Sequence, residues 1–327
     1  MENRCEYCPR RCGVRRADGV LDSQPRGVGF CGAGAEVEVS TVCRHTGEEP
    51  PLCGEKGICN VFFAHCNLQC VYCQNHEISG RRVDERLIGL RTVEAVEDRI
   101  AEVLPECENV VGFVSPTQYA YAIPKIVEAL HSKGLHPTIV YNTNAYERIE
   151  TLRMVEPYVD VYLPDMKYMD GSLAARYSQA GDYPEVAAAA IKEMVRQKGG
   201  GLLCDERGMA FRGVIVRHLV LPGQVENSKR VVRWIADELP WNVHVSVMSQ
   251  YYPIDSLQFT VNSLQLAVDE LNRTITLEEY EEVAATMEEV GLVNGWLQEM
   301  DSNMNYRPDF YNSQFTVCPR PDWAIFS

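Results

Sequence analysis

From residue 58 onward, short apolar runs alternate with stretches that have the spacing of amphipathic helices. The runs are rich in β-branched and aromatic residues, as buried parallel strands are. They are Ile58–Phe63, Val110–Val114, Thr138–Tyr141, Val159–Leu163, Val214–Leu219 and Val243–Met248. Six β-α units in series predict a parallel sheet with right-handed crossovers, either doubly wound or curved into a partial barrel.

Capping signals mark where several of the predicted helices begin. Thr92 precedes apolar residues at helical spacing, and Asp182 precedes a long helix with proline in its first turn. Ser228 is predicted to begin a further helix, and Thr276 with Glu279 three residues on forms a capping box. Helices are therefore expected to fill the gaps between the apolar runs.

The chain divides into three predicted regions. Residues 1–57 are rich in Cys, Gly and Arg and lack periodicity, which predicts an irregular segment stapled by metal. Residues 58–255 carry the β-α units, and residues 256–327 are predicted to form a helical extension that covers them. In either sheet architecture, ligands bind beyond the carboxyl ends of the strands. Polar segments follow the six runs at residues 66–73, 115–118, 142–144, 164–167, 222–223 and 249–252.

The charge balance narrows the possible partners. A net charge of −15 and a pI near 5.0 oppose binding to nucleic acid or anionic membranes, because both depend on phosphate neutralisation by Lys and Arg. A nucleic-acid-modifying enzyme would need a basic patch, for which Arg81, Arg82, Arg86 and Arg91 are candidates. No run reaches the ~18 apolar residues of a membrane span, and the N-terminus lacks the apolar core of a signal peptide. We therefore expect a cytoplasmic protein without a membrane partner.

Cysteine is the residue type with the most uneven distribution. Ten of the 13 cysteines lie within the first 73 residues, and in a reducing cytoplasm such clusters indicate metal binding rather than disulfides. Cys66, Cys70 and Cys73 have the spacing C-x3-C-x2-C, and soft thiolates select iron–sulfur clusters or zinc. Three cysteines on a cubane [4Fe-4S] cluster leave one iron open, whereas a zinc site would need Cys53 or Cys59 as a fourth ligand.

The three-cysteine loop, with Tyr72 before its last cysteine and a strand before its first, resembles the motif of the radical SAM superfamily. The segments "EEPPLCGEKGICNVFFAHCNLQCVYCQNHEIS", "YNTNAYE", "VDVYLPDMKY", "YSQAGDYPEV" and "VRHLVLPG" resemble the branch named after the pyruvate formate-lyase activating enzyme, and within it the PflX-like subgroup. The resemblance covers about residues 5–255. It implies an α/β fold, a partial (β/α)6 TIM-like barrel with an N-terminal cysteine-rich metal-binding segment.

The resemblance implies that Cys66, Cys70 and Cys73 hold a [4Fe-4S] cluster whose open iron chelates S-adenosyl-L-methionine (SAM). It also implies cofactor contacts from residues around the strand ends, with the ring of Tyr72 against the adenine. These residues are Tyr72, Thr117, Thr143, Asn144, Asp165, Lys167, Arg217 and Gln250. Thr117 stands where the family has the glutamate of Gly-Gly-Glu-Pro, which binds the amino group of SAM. That contact is therefore left open.

The resemblance also implies a reaction. Flavodoxin or ferredoxin supplies an electron, SAM is cleaved at the cluster, and the 5′-deoxyadenosyl radical abstracts hydrogen from a substrate. Such an oxidoreductase-like enzyme, suited to anaerobic conditions, would activate a glycyl radical enzyme or modify another peptide or a small molecule. No catalytic acid or base is predicted, because the cofactor carries the difficult step.

A second group of cysteines precedes the first predicted strand. Cys5, Cys8, Cys12 and Cys31 provide four thiolates, which suit a structural zinc site or a second iron–sulfur cluster. The words "CEYCPRRCG" and "GFCG" resemble the N-terminal element of the same subgroup. Four arginines in this segment would offset the charge of the thiolates. They are Arg10, Arg11, Arg15 and Arg16.

Three further alternatives stay open. A zinc-stapled binding or regulatory protein without catalysis would contain the same cysteines. His45, Glu48 and Glu49 could form a substrate-contacting lip over the barrel mouth, or a solvated acidic loop. The segment 177–184 could line the substrate cavity, or serve only to cap a helix through Asp182.

Overall fold

One sheet runs through the part of the chain that the computed structural model describes, residues 4–14, 16, 29–254, 268–302, 308–311 and 323–325. Its strands are β1 (Val39–His45), β2 (Ile58–Phe63), β3 (Val110–Val114), β4 (Thr138–Thr143), β5 (Val161–Pro164), β6 (Leu203–Cys204), β7 (Ala210–Leu219), β8 (His244–Met248), β9 (Gly295–Gln298) and β10 (Trp323–Ile325). The helices are α1 (Pro50–Cys53), α2 (His76–Ser79), α3 (Val93–Val103), α4 (Ile123–Ser132), α5 (Ile149–Val155), α6 (Gly171–Ser178), α7 (Tyr183–Lys198), α8 (Val225–Glu238) and α9 (Leu277–Glu289). Within these residues, no helix has the length and apolar character that crossing a membrane requires.

The sheet is mostly parallel. Its strand order is β1-β2-β3-β4-β5-β7-β8-β9-β10, and the short β6 pairs with β7. Every neighbouring pair from β2 to β9 along this order is parallel, whereas β1 and β10 pair antiparallel at the two ends. Because the parallel strands follow each other in serial order, their carboxyl ends meet on one side of the molecule.

The parallel strands curl around a shared interior. Side chains from β2, β3, β4, β5, β7 and β9 form one buried cluster that includes Ile58, Trp296 and Leu52 of α1. Alternate side chains of the same strands, such as Phe113 and Tyr141, pack in a larger cluster with the surrounding helices. Both faces of the strands are therefore buried, which explains why the sequence shows continuous apolar runs. The predicted partial α/β barrel is confirmed.

All six predicted strands are present, with bounds that differ by a few residues. β9 adds a further parallel strand beside β8, in the region predicted to be a helical extension. β1 extends the sheet into the region predicted to be an irregular N-terminal segment. Strand pairing thus crosses both predicted boundaries, and the division into three regions stays a prediction. The sequence does not predict α6.

The predicted helix caps hold at some positions and fail at others. Thr92 caps α3 through its side chain, and Thr276 forms the capping box of α9. Asp182 precedes α7, but its carboxylate makes no capping hydrogen bond to the helix. α8 begins at Val225 rather than at Ser228. The prediction for that helix start is wrong because Ser228 is buried inside the helix and contacts a histidine ring at 2.8 Å.

The amino end of the barrel is closed by α1 and the residues before it. His45 pairs with Ile58, the first residue of β2, so this segment lies at the amino ends of the strands. Glu48 and Glu49 turn into the barrel and are only 8% and 1% exposed. Both predictions for this segment, a lip over the mouth and a solvated loop, are therefore wrong. Both predictions fail because they do not include the buried arginine that pairs with these acids.

Candidate metal and cofactor site

The loops at the carboxyl ends of β2, β3 and β4 contain strained backbone. His65, Gln69, Ser115 and Ala145 have positive φ angles of 66°, 60°, 52° and 59°. Residues with a side chain rarely adopt this left-handed conformation, which costs about 1–3 kcal/mol each and is concentrated at functional sites. The carboxyl end of the barrel, which we call the mouth, is therefore the candidate site.

The three predicted cluster ligands lie in the loop between β2 and α2, and each thiol contacts a side-chain donor. The pairs are Asn144 Nδ2 with Cys66 Sγ (3.4 Å), Ser178 Oγ with Cys70 Sγ (3.0 Å) and Ser79 Oγ with Cys73 Sγ (3.2 Å). Hydrogen bonds to sulfur favour the thiolate and tune the potential of iron–sulfur clusters. The donors come from the loop after β4, the end of α6 and α2. The three-cysteine loop is thus oriented by three separate elements.

The thiols of this loop need a cation to become thiolates. Burial raises the pKa of Cys70 to about 12, and it also raises the pKa of Cys73. Burial acts to lower the pKa of Lys167, but Asp165 and the thiol of Cys70 outweigh it and raise that pKa. Lys167 is therefore a cation beside the loop. Binding a soft metal would release the thiol protons, because the metal takes thiolates as ligands.

The loops after the first and last predicted barrel strands meet across the mouth. Gln74 Nε2 donates to the backbone oxygen of Gln250 at 2.8 Å, and Gln250 Nε2 donates to Gln74 Oε1 at 3.1 Å. Gln298 of β9 donates to the side chain of Gln250 at 2.9 Å. The predicted cofactor residue Gln250 therefore fastens the cysteine loop to the β8–β9 side of the mouth.

Tyr72 lies in a cluster of tyrosines next to this loop. Its ring is edge-on to that of Tyr177, with centroids 6.2 Å apart. Tyr168 OH donates to Tyr72 OH at 2.6 Å and also contacts the thiol donor Ser178 at 2.8 Å. The cluster thus supports the orientation of the loop. A contact between Tyr72 and adenine stays a prediction.

Two further predicted residues, Thr117 and Thr143, share a buried carboxyl group. Both hydroxyls donate to Glu147 Oε1 at 2.6 Å, and Tyr141 OH donates to it at 3.3 Å. Glu147 is 2% exposed, and its Oε2 has no hydrogen-bond partner among the described residues. Burial raises the pKa of Glu147 to about 7, although the hydroxyl donors act to lower it. Thr117 therefore has a carboxyl group beside it. That group belongs to the loop after β4, whereas Thr117 lies in the loop after β3.

Arg217 lies inside the barrel among three carboxylates. Its Nη1 is 3.0 Å from Glu48 Oε2, and its Nε is 3.7 Å from Glu49 Oε1 and 3.6 Å from Asp165 Oδ1. Lys167 Nζ binds the other oxygen of Asp165 at 2.7 Å. Burial raises the pKa of Glu49, and Arg217 opposes that rise. Arg217 thus belongs to an ion-pair cluster, and its contact with SAM stays a prediction.

The second cysteine group packs against the loops of the mouth. Arg16 Nη2 donates to Cys5 Sγ at 3.1 Å, and a backbone N–H two residues on donates to Cys31 Sγ at 3.4 Å. Burial raises the pKa of Cys8 to about 12, and the thiols of Cys31 and Cys5 raise it further. Cys12 is exposed. Arg15, named with the arginines of this segment, lies outside the described residues.

The donor chemistry of the two groups bears on which metal they could hold. In the ranges that the structure describes, no three His, Cys, Asp or Glu side chains are close enough together to hold one metal ion. A cubane binds each cysteine through a different iron, so its ligands do not converge on a single ion. Three buried or half-buried thiols with one donor each fit such a cluster. The four-cysteine group fits zinc or a second cluster by its donor type alone.

Ser79, Ser178 and Glu147 are not among the predicted site residues. Each lies in a segment that carries the family resemblance, namely "NHEIS", "YSQAG" and "NTNAYE". The sequence signal for these three residues is their position within the segments that carry the resemblance. Sequence spacing could not show which thiol or hydroxyl each of them contacts, because their partners come from other loops.

No protein-family model matches the chain. An uncharacterized protein of Methanocaldococcus jannaschii is 28% identical over 294 residues, which are 88% of this chain and 75% of that protein. A solved domain of pyruvate-formate lyase-activating enzyme from Bacteroides vulgatus is 14% identical with a TM-score of 0.37, over 55% of this chain and 93% of that one. Streptococcus suis SuiB bound to S-adenosylmethionine is 12% identical with a TM-score of 0.47, over 78% of this chain and 53% of SuiB. Methylornithine synthase (PylB) is 15% identical with a TM-score of 0.40, over 80% and 77%. At these values the function has to be inferred from the residues of the site.

Proposed function

We propose that the protein is a radical SAM enzyme. The observation that carries the proposal is the three-cysteine loop itself. Its thiols stand at the mouth of a mostly parallel barrel, each with a side-chain donor, beside the cation Lys167. A site that only needed structural zinc would have no use for a half-closed set of ligands at the end of a barrel.

In this proposal Cys66, Cys70 and Cys73 hold a [4Fe-4S] cluster, and SAM binds at the iron that they leave open. When bound, the two cofactors supply a 5′-deoxyadenosyl radical that abstracts hydrogen from the substrate. The chain itself binds, orients and excludes water. Phe310, whose ring packs 5.7 Å from that of Phe62 at the carboxyl end of β2, contributes to that exclusion.

The contact with the amino group of SAM is assigned to the pair of hydroxyls held by Glu147. Thr117 and Thr143 donate their own protons to this carboxyl group. Thr143 Oγ1 also accepts from the Ala145 N–H at 3.2 Å, which leaves its second lone pair and those of Thr117 to accept from an ammonium group. Asp165 and Lys167 offer a carboxylate and an ammonium at the end of β5 for the remaining polar groups of the cofactor.

The finer assignments belong to the same proposal. The substrate is a peptide or protein, as for the activating enzymes of glycyl radical enzymes, or a small molecule. Flavodoxin or ferredoxin provides the electron in the cytoplasm. Cys5, Cys8, Cys12 and Cys31 hold zinc or a second iron–sulfur cluster. The relation to the PflX-like subgroup is supported by the sequence segments quoted above.

The competing function is a zinc-stapled binding or regulatory protein without catalysis. Such a protein would use the same thiols and the same arginine-rich cysteine segment to bind zinc. It predicts a colourless protein that contains zinc and no iron.

One experiment separates the two. The protein is purified without oxygen, its iron and zinc are counted, and SAM is added with dithionite while 5′-deoxyadenosine is measured. The radical SAM proposal predicts a brown protein with about four or more irons per chain and formation of 5′-deoxyadenosine. Zinc without iron, and no cleavage of SAM, would establish the binding protein instead.

A further inference from the structure

Arg10 connects the two cysteine groups. It lies between Cys8 and Cys12, and its guanidinium donates to three backbone oxygens of the mouth. These contacts are Nε to the oxygen of Asn67 (3.1 Å), Nη2 to that of Ser178 (3.2 Å) and Nη1 to that of Gln179 (2.5 Å). A single side chain of the N-terminal segment thus ties two separate loops of the barrel together.

The residues that Arg10 binds are those next to the cluster thiols. Asn67 directly follows Cys66, and its amide oxygen accepts a hydrogen bond at 2.8 Å from Asn144, the donor to that thiol. Ser178 is the donor to Cys70, at 3.0 Å. Two of the three thiol contacts therefore depend on loops whose backbone Arg10 holds.

The position of Arg10 depends in turn on the four-cysteine segment. Its guanidinium lies 3.8 Å from the ring centroid of Phe30, the residue before Cys31, and 5.1 Å from that of Tyr146. The described residues around Cys5, Cys8 and Cys12 form no helix or extended strand. Such a segment has little of its own to fix a side chain, and bound metal is the usual source of order in it.

We propose that Arg10 is a positioning residue through which metal bound at Cys5, Cys8, Cys12 and Cys31 fixes the geometry of the loop that holds Cys66, Cys70 and Cys73. The inference rests on the proposed function for the presence of both metal sites. The N-terminal segment then acts as a support for the cluster loop.

Arg10 acts on the loop in two ways. It supplies charge-assisted hydrogen bonds to the carbonyls, which order the loop before a cluster binds. It also places a positive charge near the thiolates, which favours the electron-rich reduced state of a bound cluster. Lysine at this position would keep the charge but lose the planar fork that reaches three acceptors at once.

A backbone amide in the loop reports the first effect without any cluster. The Val71 N–H donates at 2.8 Å to the oxygen of Tyr177, the residue before Ser178. In Arg10→Gln and Arg10→Lys, hydrogen exchange at Val71 in the metal-loaded protein, before iron is added to the loop, is expected to be about tenfold faster than in wild type. Arg11→Gln is the matched control, because Arg11 is the next residue and is exposed. It is expected to exchange at the wild-type rate.

The second effect distinguishes positioning from a general loss of stability. In reconstituted protein, the reduction potential of the cluster is expected to fall in Arg10→Gln and to stay near the wild-type value in Arg10→Lys and Arg11→Gln. Iron retention against a chelator is expected to fall about tenfold or more in Arg10→Gln. Circular dichroism confirms that each variant is folded before these measurements.

Removing the N-terminal metal tests the coupling directly. Zinc and iron are counted in Cys31→Ser. The Val71 amide of this variant is expected to exchange hydrogen as fast as it does in Arg10→Gln, and the double variant is expected to exchange no faster. Wild-type exchange at Val71 in either variant would overturn the inference. If the proposed function is wrong, the result is different, because the wild-type protein then binds no iron at all.

Discussion

The two ends of the barrel both bury carboxyl groups, but they satisfy them differently. At the amino end, Glu48 and Glu49 face the guanidinium of Arg217. At the mouth, Glu147 faces the hydroxyls of Thr117 and Thr143 and has no cation among its hydrogen-bond partners in the described residues. Burial raises the pKa of both Glu49 and Glu147, but a guanidinium opposes the rise at Glu49, whereas hydroxyl donors oppose it at Glu147.

The two ends of the barrel also differ in which residues adopt the left-handed backbone conformation. Left-handed residues at the amino end include Gly54 and Gly57, which adopt positive φ at no steric cost. The mouth uses His65, Ser115 and Ala145 in that conformation instead. Strain of this kind persists only where the surrounding contacts force it. The amino end is therefore built for stability, and the mouth is built to present side chains and backbone groups to a ligand.

The largest expected effect comes from making one substitution at both ends. Cys70→Ala at the mouth is expected to abolish iron binding and 5′-deoxyadenosine formation, because the cluster loses one of its three ligands. Cys53→Ala in α1 removes a buried thiol, and it is expected to leave iron content unchanged while lowering the unfolding free energy by about 1 kcal/mol. Iron analysis and urea unfolding of both proteins measure the contrast. Equal iron in the two variants would show that the loop is not the cluster site.

The ion-pair cluster around Arg217 predicts the largest change in stability. Glu48→Ala leaves Arg217 buried with a weaker set of partners, because it removes the closest carboxylate, at 3.0 Å. The expected loss in unfolding free energy is about 3 kcal/mol, measured by urea denaturation. Glu55→Ala, an exposed acid nearby in the chain, is expected to change it by about 0.5 kcal/mol or less. A similar loss in both variants would mean that burial of the pair is unimportant.

The sequence predicted the barrel well because buried parallel strands leave a signal that spacing alone can read. The six runs are mostly apolar on both faces, since one face meets the interior and the other meets helices. The sequence does not predict β9 because Gly295–Gln298 has only four residues, with glycine at one end and glutamine at the other, and so forms no apolar run. α6 was missed because it is short and begins with glycine.

The candidate site was predictable only as far as its signal is local. C-x3-C-x2-C lies within eight residues, so the loop of Cys66–Cys73 is visible in the sequence itself. The partner of Glu48 is 169 residues away, and that of Glu147 at Thr117 is 30 residues away. When its partner is not known, a glutamate in the sequence is predicted to be a solvated acid. Only the fold shows that these acids are buried.

The raised pKa of Glu147 predicts a pH dependence of the unfolding free energy. Its pKa rises from 4.5 to about 7 in the folded protein. Between these values the unfolded chain releases the proton and the folded protein keeps it, so this group makes the unfolding free energy fall as pH rises. Above about pH 7 the contribution is level, and below about pH 4.5 it is fully favourable to the folded state.

Glu147→Gln removes that slope because the amide does not titrate. The difference in unfolding free energy between wild type and variant is expected to shift by roughly 2–3 kcal/mol against wild type from about pH 5 to about pH 8. Denaturation at several pH values measures it. Glu150→Gln, an exposed acid three residues further on, serves as the control. Parallel pH profiles for wild type and Glu147→Gln would mean that Glu147 titrates normally.

The smallest expected effect concerns Asn60, whose side chain hydrogen-bonds to Glu48. Asn60 Nδ2 donates to Glu48 Oε1 at 2.9 Å, and a methyl group on Gly112 would lie 2.1 Å from Asn60 Oδ1. Gly112→Ala is therefore expected to displace the amide and to cost about 1–2 kcal/mol, measured by urea denaturation. Gly34→Ala is the control, because nothing lies within 4 Å of the added methyl group.

The double variant separates this contact from a general strand effect. In an Asn60→Ala background only Ile58 Cδ1, at 3.0 Å, stays close to the added methyl group, so adding Gly112→Ala is expected to cost less than it does in wild type. The same cost in both backgrounds would mean that glycine is needed at this position of β3 for another reason. A reduced cost would show that the contact with the Asn60 side chain is the reason for glycine at this position. Both substitutions are expected to leave the iron content of the protein unchanged.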